Sequence, residues 1–280
     1  MSTRPLSPVQ EARWHARQSA PGFPWSVSLA ARLAGPLDPA ALEAALARAV
    51  TRHEILRTRF VAGEGGAHMR IEPATGVALA RHDWSAQGLV EGERALRSLE
   101  RELRGRAAGD GTPLAAALAR VAPEEHVLVL ACSALAADWR ALWVLARELT
   151  QDLAGALDPE PPVQFADLAQ WLREASTGED ESAGRTAWSA FDAPAAATLR
   201  LPLELERAAR PFELRELARE LPPALLDGLR RLAEGRNLAL ESLLAAAWQA
   251  WLARLAERDE LWLGMASSGR AFPGLESALG

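Results

Sequence analysis

This sequence predicts a mixed fold of helices and sheet, α/β or α+β, on three observations. Segments with apolar residues at every second position alternate along the chain with segments at helical spacing. Two strongly apolar runs near the middle, Leu114–Pro123 and His126–Leu135, are bounded by Gly109-Asp110-Gly111-Thr112-Pro113 and Pro123-Glu124-Glu125, and read as paired central strands. After a polar and then Pro- and Ala-rich stretch the pattern restarts. The 280 residues therefore make one large or two modest units, at about 100–200 residues per domain.

Near the start, Ser7 is placed to cap a helix whose first residue is Pro8, where the missing N–H costs nothing. Trp25, Val27, Leu29, Ala31 and Leu33 alternate and predict a half-buried strand. Asp38 and Pro39 then open a helix with Leu42, Ala45, Leu46 and Val50 along one stripe. Residues 60–72 read as a hairpin turning through Gly-Glu-Gly-Gly-Ala, and residues 94–107 as an amphipathic helix. Beyond the central strands, residues 138–157 predict a helix of about five turns, and residues 163–175 another. The stretch 176–198 is the predicted boundary between units. After it come a strand in 212–222, a helix ending near Gly235, a long and almost wholly apolar helix in 238–258, and a strand in 259–270.

Composition excludes several classes. The chain is 49% apolar and 24% charged, ordinary for a globular protein. Its net charge of −6, with every cation other than histidine an arginine, gives no basic face for phosphates, so nucleic acid is not an expected partner. No apolar run approaches the ~18 residues of a membrane span. The first twenty residues lack the apolar core of a secretory leader, so the expectation is a cytoplasmic protein. Cys132 is the only cysteine, which rules out an intrachain disulfide and a Cys-based metal cluster. His15, His53, His68, His82 and His126 are scattered, with no two at ligand spacing on one predicted helix, and no phosphate loop or dinucleotide fingerprint is present. No metal or cofactor is expected.

Four segments resemble condensation domains of nonribosomal peptide synthetases. Residues 52–60, RHEILRTRF, resemble the second core motif of that family; residues 6–14, LSPVQEARW, the first; residues 163–171, VQFADLAQW, the fourth. They stand in the family's order and at its spacing. Residues 243–270 are similar to its long second-lobe helix and following strand. The resemblance covers essentially the whole chain and implies a chloramphenicol-acetyltransferase-like lobe, 1–176, an inter-lobe linker, 177–198, and the start of a second lobe, 199–280. Since the family continues beyond this point, the second lobe is expected to be incomplete, its long helix left with an uncovered apolar face.

The resemblance breaks at the catalytic motif, HHxxxDG. The equivalent stretch is Ser133-Ala134-Leu135-Ala136-Ala137-Asp138-Trp139. The aspartate is kept; both histidines and the glycine are not. The second histidine, which helps an amine attack an acyl thioester, is replaced by Ala134, which can neither titrate nor hydrogen-bond through its side chain. A positioned base contributes typically about 10²–10⁴-fold, although positioning alone supports some rate. The heterocyclization variant DxxxxDxxS fares worse, with Ser133 and Ala141 at two of its three marks. Cys132 reads as a small buried hydrophobe rather than a nucleophile, because no base adjoins it. Asp138 reads as a helix cap, and the resemblance implies a structural ion pair with Arg57. Trp139, in place of the glycine, would narrow the passage where substrate arms meet.

Three functions stay open: a docking or recruitment platform for a peptidyl or acyl carrier protein, a tailoring enzyme or a complementary second-lobe chain; an acyltransferase that forms an amide by positioning alone; or a decayed fragment. In the first two, phosphopantetheine would arrive on the carrier.

Overall fold

The computed structural model describes residues 2–109, 111–175, 179–189, 200–202, 217, 219–267, 269–270 and 275–280. Two compact units result: Met1–Asp180 together with Ser268–Gly280, and Glu181–Ser267.

The first unit is built on a four-stranded sheet ordered β2-β7-β6-β5, from Ser26–Ala34, Glu125–Ser133, Leu114–Ala122 and Leu79–Asp83. The β2–β7 and β6–β7 pairs are antiparallel and β5–β6 is parallel. The two apolar runs thus pair at the centre of the sheet, as expected. A smaller antiparallel sheet, β1-β4-β3, joins Ser2–Pro5, Gly66–Ile71 and Thr58–Gly63. The β3–β4 hairpin turns at Gly65 and Gly66, with φ of +89° and +124°, backbone that L side chains adopt only with strain.

Helices cover both faces of the large sheet. On one face α2 (Pro39–Arg52) and α4 (Trp139–Leu153) lie together. Leu42, Leu46, Leu142, Leu145 and Leu149 meet Leu128, Leu130 and Cys132 there in the main core. On the other face lies α3 (Leu89–Ala108), with Leu99, Leu103 and Ala107 against Ala115, Ala117, Ala119, Val129 and Ala131. Alanine is a poor strand former, yet a row of methyl groups gives the leucines of α3 a shallow surface to seat on, and this packing outweighs intrinsic propensity. Two further helices, α1 (Pro8–Ser19) and α5 (Phe165–Ala175), complete the layer around the small sheet.

Three boundaries differ from expectation. The stretch read as a linker, 177–198, contains a helix, α6 (Glu179–Ser189), and the division between units falls at its start. The last residues are not part of the second unit: Leu275, Ala278 and Leu279 are buried in the first, Leu279 in its main core. Residues 259–267, expected as a strand, are irregular. A strand in 212–222 falls mostly outside the described residues.

In the second unit α7 (Pro223–Gly235) packs against α8 (Leu240–Ala256). The left-handed residue after α7 is Asn237, two beyond the Gly235 read as its end, because asparagine tolerates positive φ better than most side chains. None of the residues of α8 is buried; Trp248 and Trp251 meet in a tilted contact, ring centres 4.9 Å apart, and both are half-exposed.

Candidate functional site

The divergent motif forms the turn that carries the chain from β7 into α4. Ser133 ends the strand, and its carbonyl accepts from the N–H groups of Ala136 and Ala137, at 2.9 and 3.0 Å. Leu135, Ala136 and Ala137 are buried; Ala134 is partly so. Asp138 then caps α4, its Oδ1 accepting from the Ala141 N–H at 2.7 Å, as its sequence position predicts.

Helix α1 holds this turn in place. Ser7 and Gln10 form a reciprocal capping box at its start. Buried Gln10 also donates from Nε2 to the Leu135 carbonyl at 2.8 Å, while Arg13 donates to the Ala134 carbonyl at 2.7 Å. The Ala134 N–H goes to the Trp25 carbonyl at 3.0 Å. Hence Gln10 and Arg13, noticed in the sequence only as a motif, are positioning residues for the turn that follows some 120 positions later. Gln10→Ala is expected to lower stability by about 1–3 kcal/mol in urea, since it leaves a buried N–H and a buried C=O without partners. Gln10→Glu should not rescue it, because a carboxylate cannot donate to Leu135.

Asp138 does not pair with Arg57. Its carboxylate is gripped in a fork by Arg270, with Nη1 to Oδ2 at 2.8 Å and Nη2 to Oδ1 at 3.2 Å. Arg270 also donates to the carbonyls of Ala278 and Gly280, so one guanidinium ties the chain's last residues to the start of α4. Arg57 is taken up locally, donating to the Glu72 carbonyl at 2.7 Å with the Glu54 carboxylate at 3.6 Å. Arg270 takes both carboxylate oxygens of Asp138, while Arg57 closes a short 3-10 turn, Glu54–Arg57, that leads into β3, and bonds through Nη1 within that hairpin.

Among the described residues, no histidine bonds to the 133–139 turn. His53 is buried at the end of α2, 2.6 Å from the Glu148 carboxylate. His126 stands at the opposite end of β7, about 23 Å from Ser133 by strand rise. His15 is exposed on α1, and His68 and His82 lie on β4 and β5. Ser133 is buried, its Oγ accepting weakly from the Leu135 N–H at 3.4 Å. Trp139 opens α4 and is 61% exposed.

Cys132 is fully buried among leucines, and burial pushes its thiol from the ordinary 9.0 up to about 12. It is therefore a packed hydrophobe, not a nucleophile. Between these two values only the unfolded chain ionises, so stability should be unaffected below about pH 9 and fall as pH rises towards 12, by up to about 1.4 kcal/mol per pH unit. Replacing the thiol in Cys132→Ala removes this slope, which alkaline urea titrations of the two proteins would measure.

Comparison with known proteins places the whole assembly. The profile of the condensation domain family matches residues 2–280. The chain is 27% identical over 286 residues to malpinin synthetase of Mortierella alpina, covering 99% of the chain and 4% of that protein. To the isonitrile lipopeptide synthase of Mycobacterium tuberculosis it is 31% identical over 303 residues, covering 99% of the chain and 12% of the synthase. The chain thus spans only a small fraction of either relative. The first condensation domain of the calcium-dependent antibiotic synthetase superimposes with a TM-score of 0.83 at 22% identity, covering all of this chain and 68% of that one. SgcC5 of Streptomyces globisporus gives 0.69 at 26% identity, covering 92% and 60%. The expected fold, of chloramphenicol acetyltransferase type, is the one these structures share with it. Its sequence and its topology agree, and the chain belongs to the condensation domain family of nonribosomal peptide synthetases.

Proposed function

We propose that this chain serves nonribosomal peptide assembly by holding partners rather than by joining substrates. A peptidyl or acyl carrier protein, or a tailoring enzyme acting on it, would dock on the domain. Any phosphopantetheine arm would come with the carrier, in the cytoplasm. The observation that supports this reading is Ala134. The turn is held by Gln10, Arg13, Trp25 and Arg270, yet the residue at the place of the family's second histidine offers a methyl group. An amine attacking a thioester sheds a proton on the way to the amide, and no side chain of the turn is suited to take it: Ser133 is a poor base, and the oxygens of Asp138 are occupied by Arg270 and the Ala141 N–H.

The test offers the purified chain to acyl- and aminoacyl-loaded carrier proteins encoded beside it. Binding is followed by calorimetry, and amide formation by mass spectrometry. Saturable binding with no amide above the carrier-only background is expected. Amide formed well above that background would replace the docking reading with an acyltransferase that works by positioning, and absence of binding to carriers and tailoring enzymes alike would remove the reading altogether.

A further inference from the structure

The β3–β4 hairpin places two arginines directly opposite each other. Arg59 on β3 is in register with Arg70 on β4, so their side chains leave the sheet on the same face. Like charges in this arrangement repel. One carboxylate stands between them: Glu72 Oε1 is 2.8 Å from Arg70 Nε but 3.9 Å from Arg59 Nε. Glu72 is thus committed to Arg70, and Arg59, 45% exposed, is left with one long ionic contact. Arg57, on the turn feeding the same strand, adds a third guanidinium. Its Nε–H is buried without an acceptor, and its nearest carboxylate, Glu54, is beyond hydrogen-bond distance. Three cations therefore face two carboxylates.

Three of these five, Arg57, Arg59 and Glu72, line an open cavity of about 340 Å³, together with Thr75, Thr112 and prolines. That volume sits at the small end of ligand pockets. Two arginines, one glutamate and two threonines line this concavity, so its charged lining carries surplus positive charge. The planar guanidinium fork matches the paired oxygens of carboxylate and phosphate.

We infer that this cavity is an oxyanion site, taking the phosphate or carboxylate group of a small molecule, with Arg59 as its principal ligand and Arg57 as the second. Glu72 competes with the guest for Arg59. The site lies wholly within the first unit and does not depend on the docking reading, so either can fail alone.

Inorganic phosphate and acetate, titrated separately at low ionic strength with chloride as control, test the site and tell the two oxyanions apart. Heat of binding and the shift in Tm are the readouts. One of the two should bind saturably with a rise in Tm, and Arg59→Ala should weaken that binding about tenfold or more, with partial recovery in Arg59→Lys. Glu72→Gln should tighten binding. Glu43→Gln, which removes the same charge from an exposed pair with Arg81 elsewhere, should leave it unchanged. No saturable binding of either anion, equal affinity in Arg59→Ala, or equal tightening by Glu72→Gln and Glu43→Gln would each overturn the assignment.

Discussion

Arg270→Ala is expected to destabilise the first unit by about 3 kcal/mol, and Asp138→Ala by about 4. The side chain of Arg270 is only 8% exposed and that of Asp138 22%. Removing either partner of a buried pair strands the other charge, at a cost of about 3–5 kcal/mol; the fifth of Asp138 that still meets water puts the loss near the lower end. Asp138→Ala also deletes the cap of α4, worth about 1 kcal/mol more. Asp138→Asn keeps an acceptor for the Ala141 N–H and should fall between wild type and Asp138→Ala. A double-mutant cycle in urea gives the sharper result. Asp138 and Arg270 should couple by more than about 1 kcal/mol, whereas Asp138 and Arg57 should be additive within about 0.5 kcal/mol. The reverse outcome would return the ion pair to Arg57. Amide exchange should also accelerate in residues 275–280 of Arg270→Ala, because their carbonyls lose the guanidinium that anchors them.

This pair shows where sequence reasoning stops. The cap was legible: Asp138 directly before an apolar helical stripe needs no tertiary information. So were Ser7 with Pro8, Asp38 with Pro39, and the central strands, each set by local chemistry and period. The partner of Asp138 was not, because Arg270 lies 132 residues away and ion pairing has no period to detect. The resemblance implied Arg57, the arginine of the second motif, whereas the fork on Asp138 comes from Arg270. The carboxy-terminal boundary failed for the same reason. Leu275, Ala278 and Leu279 are too few to carry a pattern, yet their burial assigns them to the first unit. Gln10 and Arg13 stood in the motif, but their task, holding the carbonyls of Leu135 and Ala134, exists only in three dimensions.

The same backbone bonds make Ala134→His an informative substitution. The Ala134 N–H and C=O are held by Trp25 and Arg13, contacts that no change of side chain removes. The residue is only partly buried, so an imidazole can be accommodated facing solvent without opening the core. With acyl- and aminoacyl-carrier substrates, wild type should give background product and Ala134→His should raise amide formation by about 10²-fold or more, the share a positioned base supplies. Because the neutral imidazole is the active form, the gained rate should climb with pH through roughly 6.5 and then level off. Ala134→Gln, similar in bulk but unable to take a proton at these pH values, should gain nothing. A wild-type rate within about tenfold of Ala134→His would mean that positioning already carries the chemistry. If Ala134→His binds carriers normally yet stays silent while Ala134→His with Trp139→Gly works, the exposed indole at the start of α4 blocks the approach as well, and silence in both would mean that more than this turn has been lost.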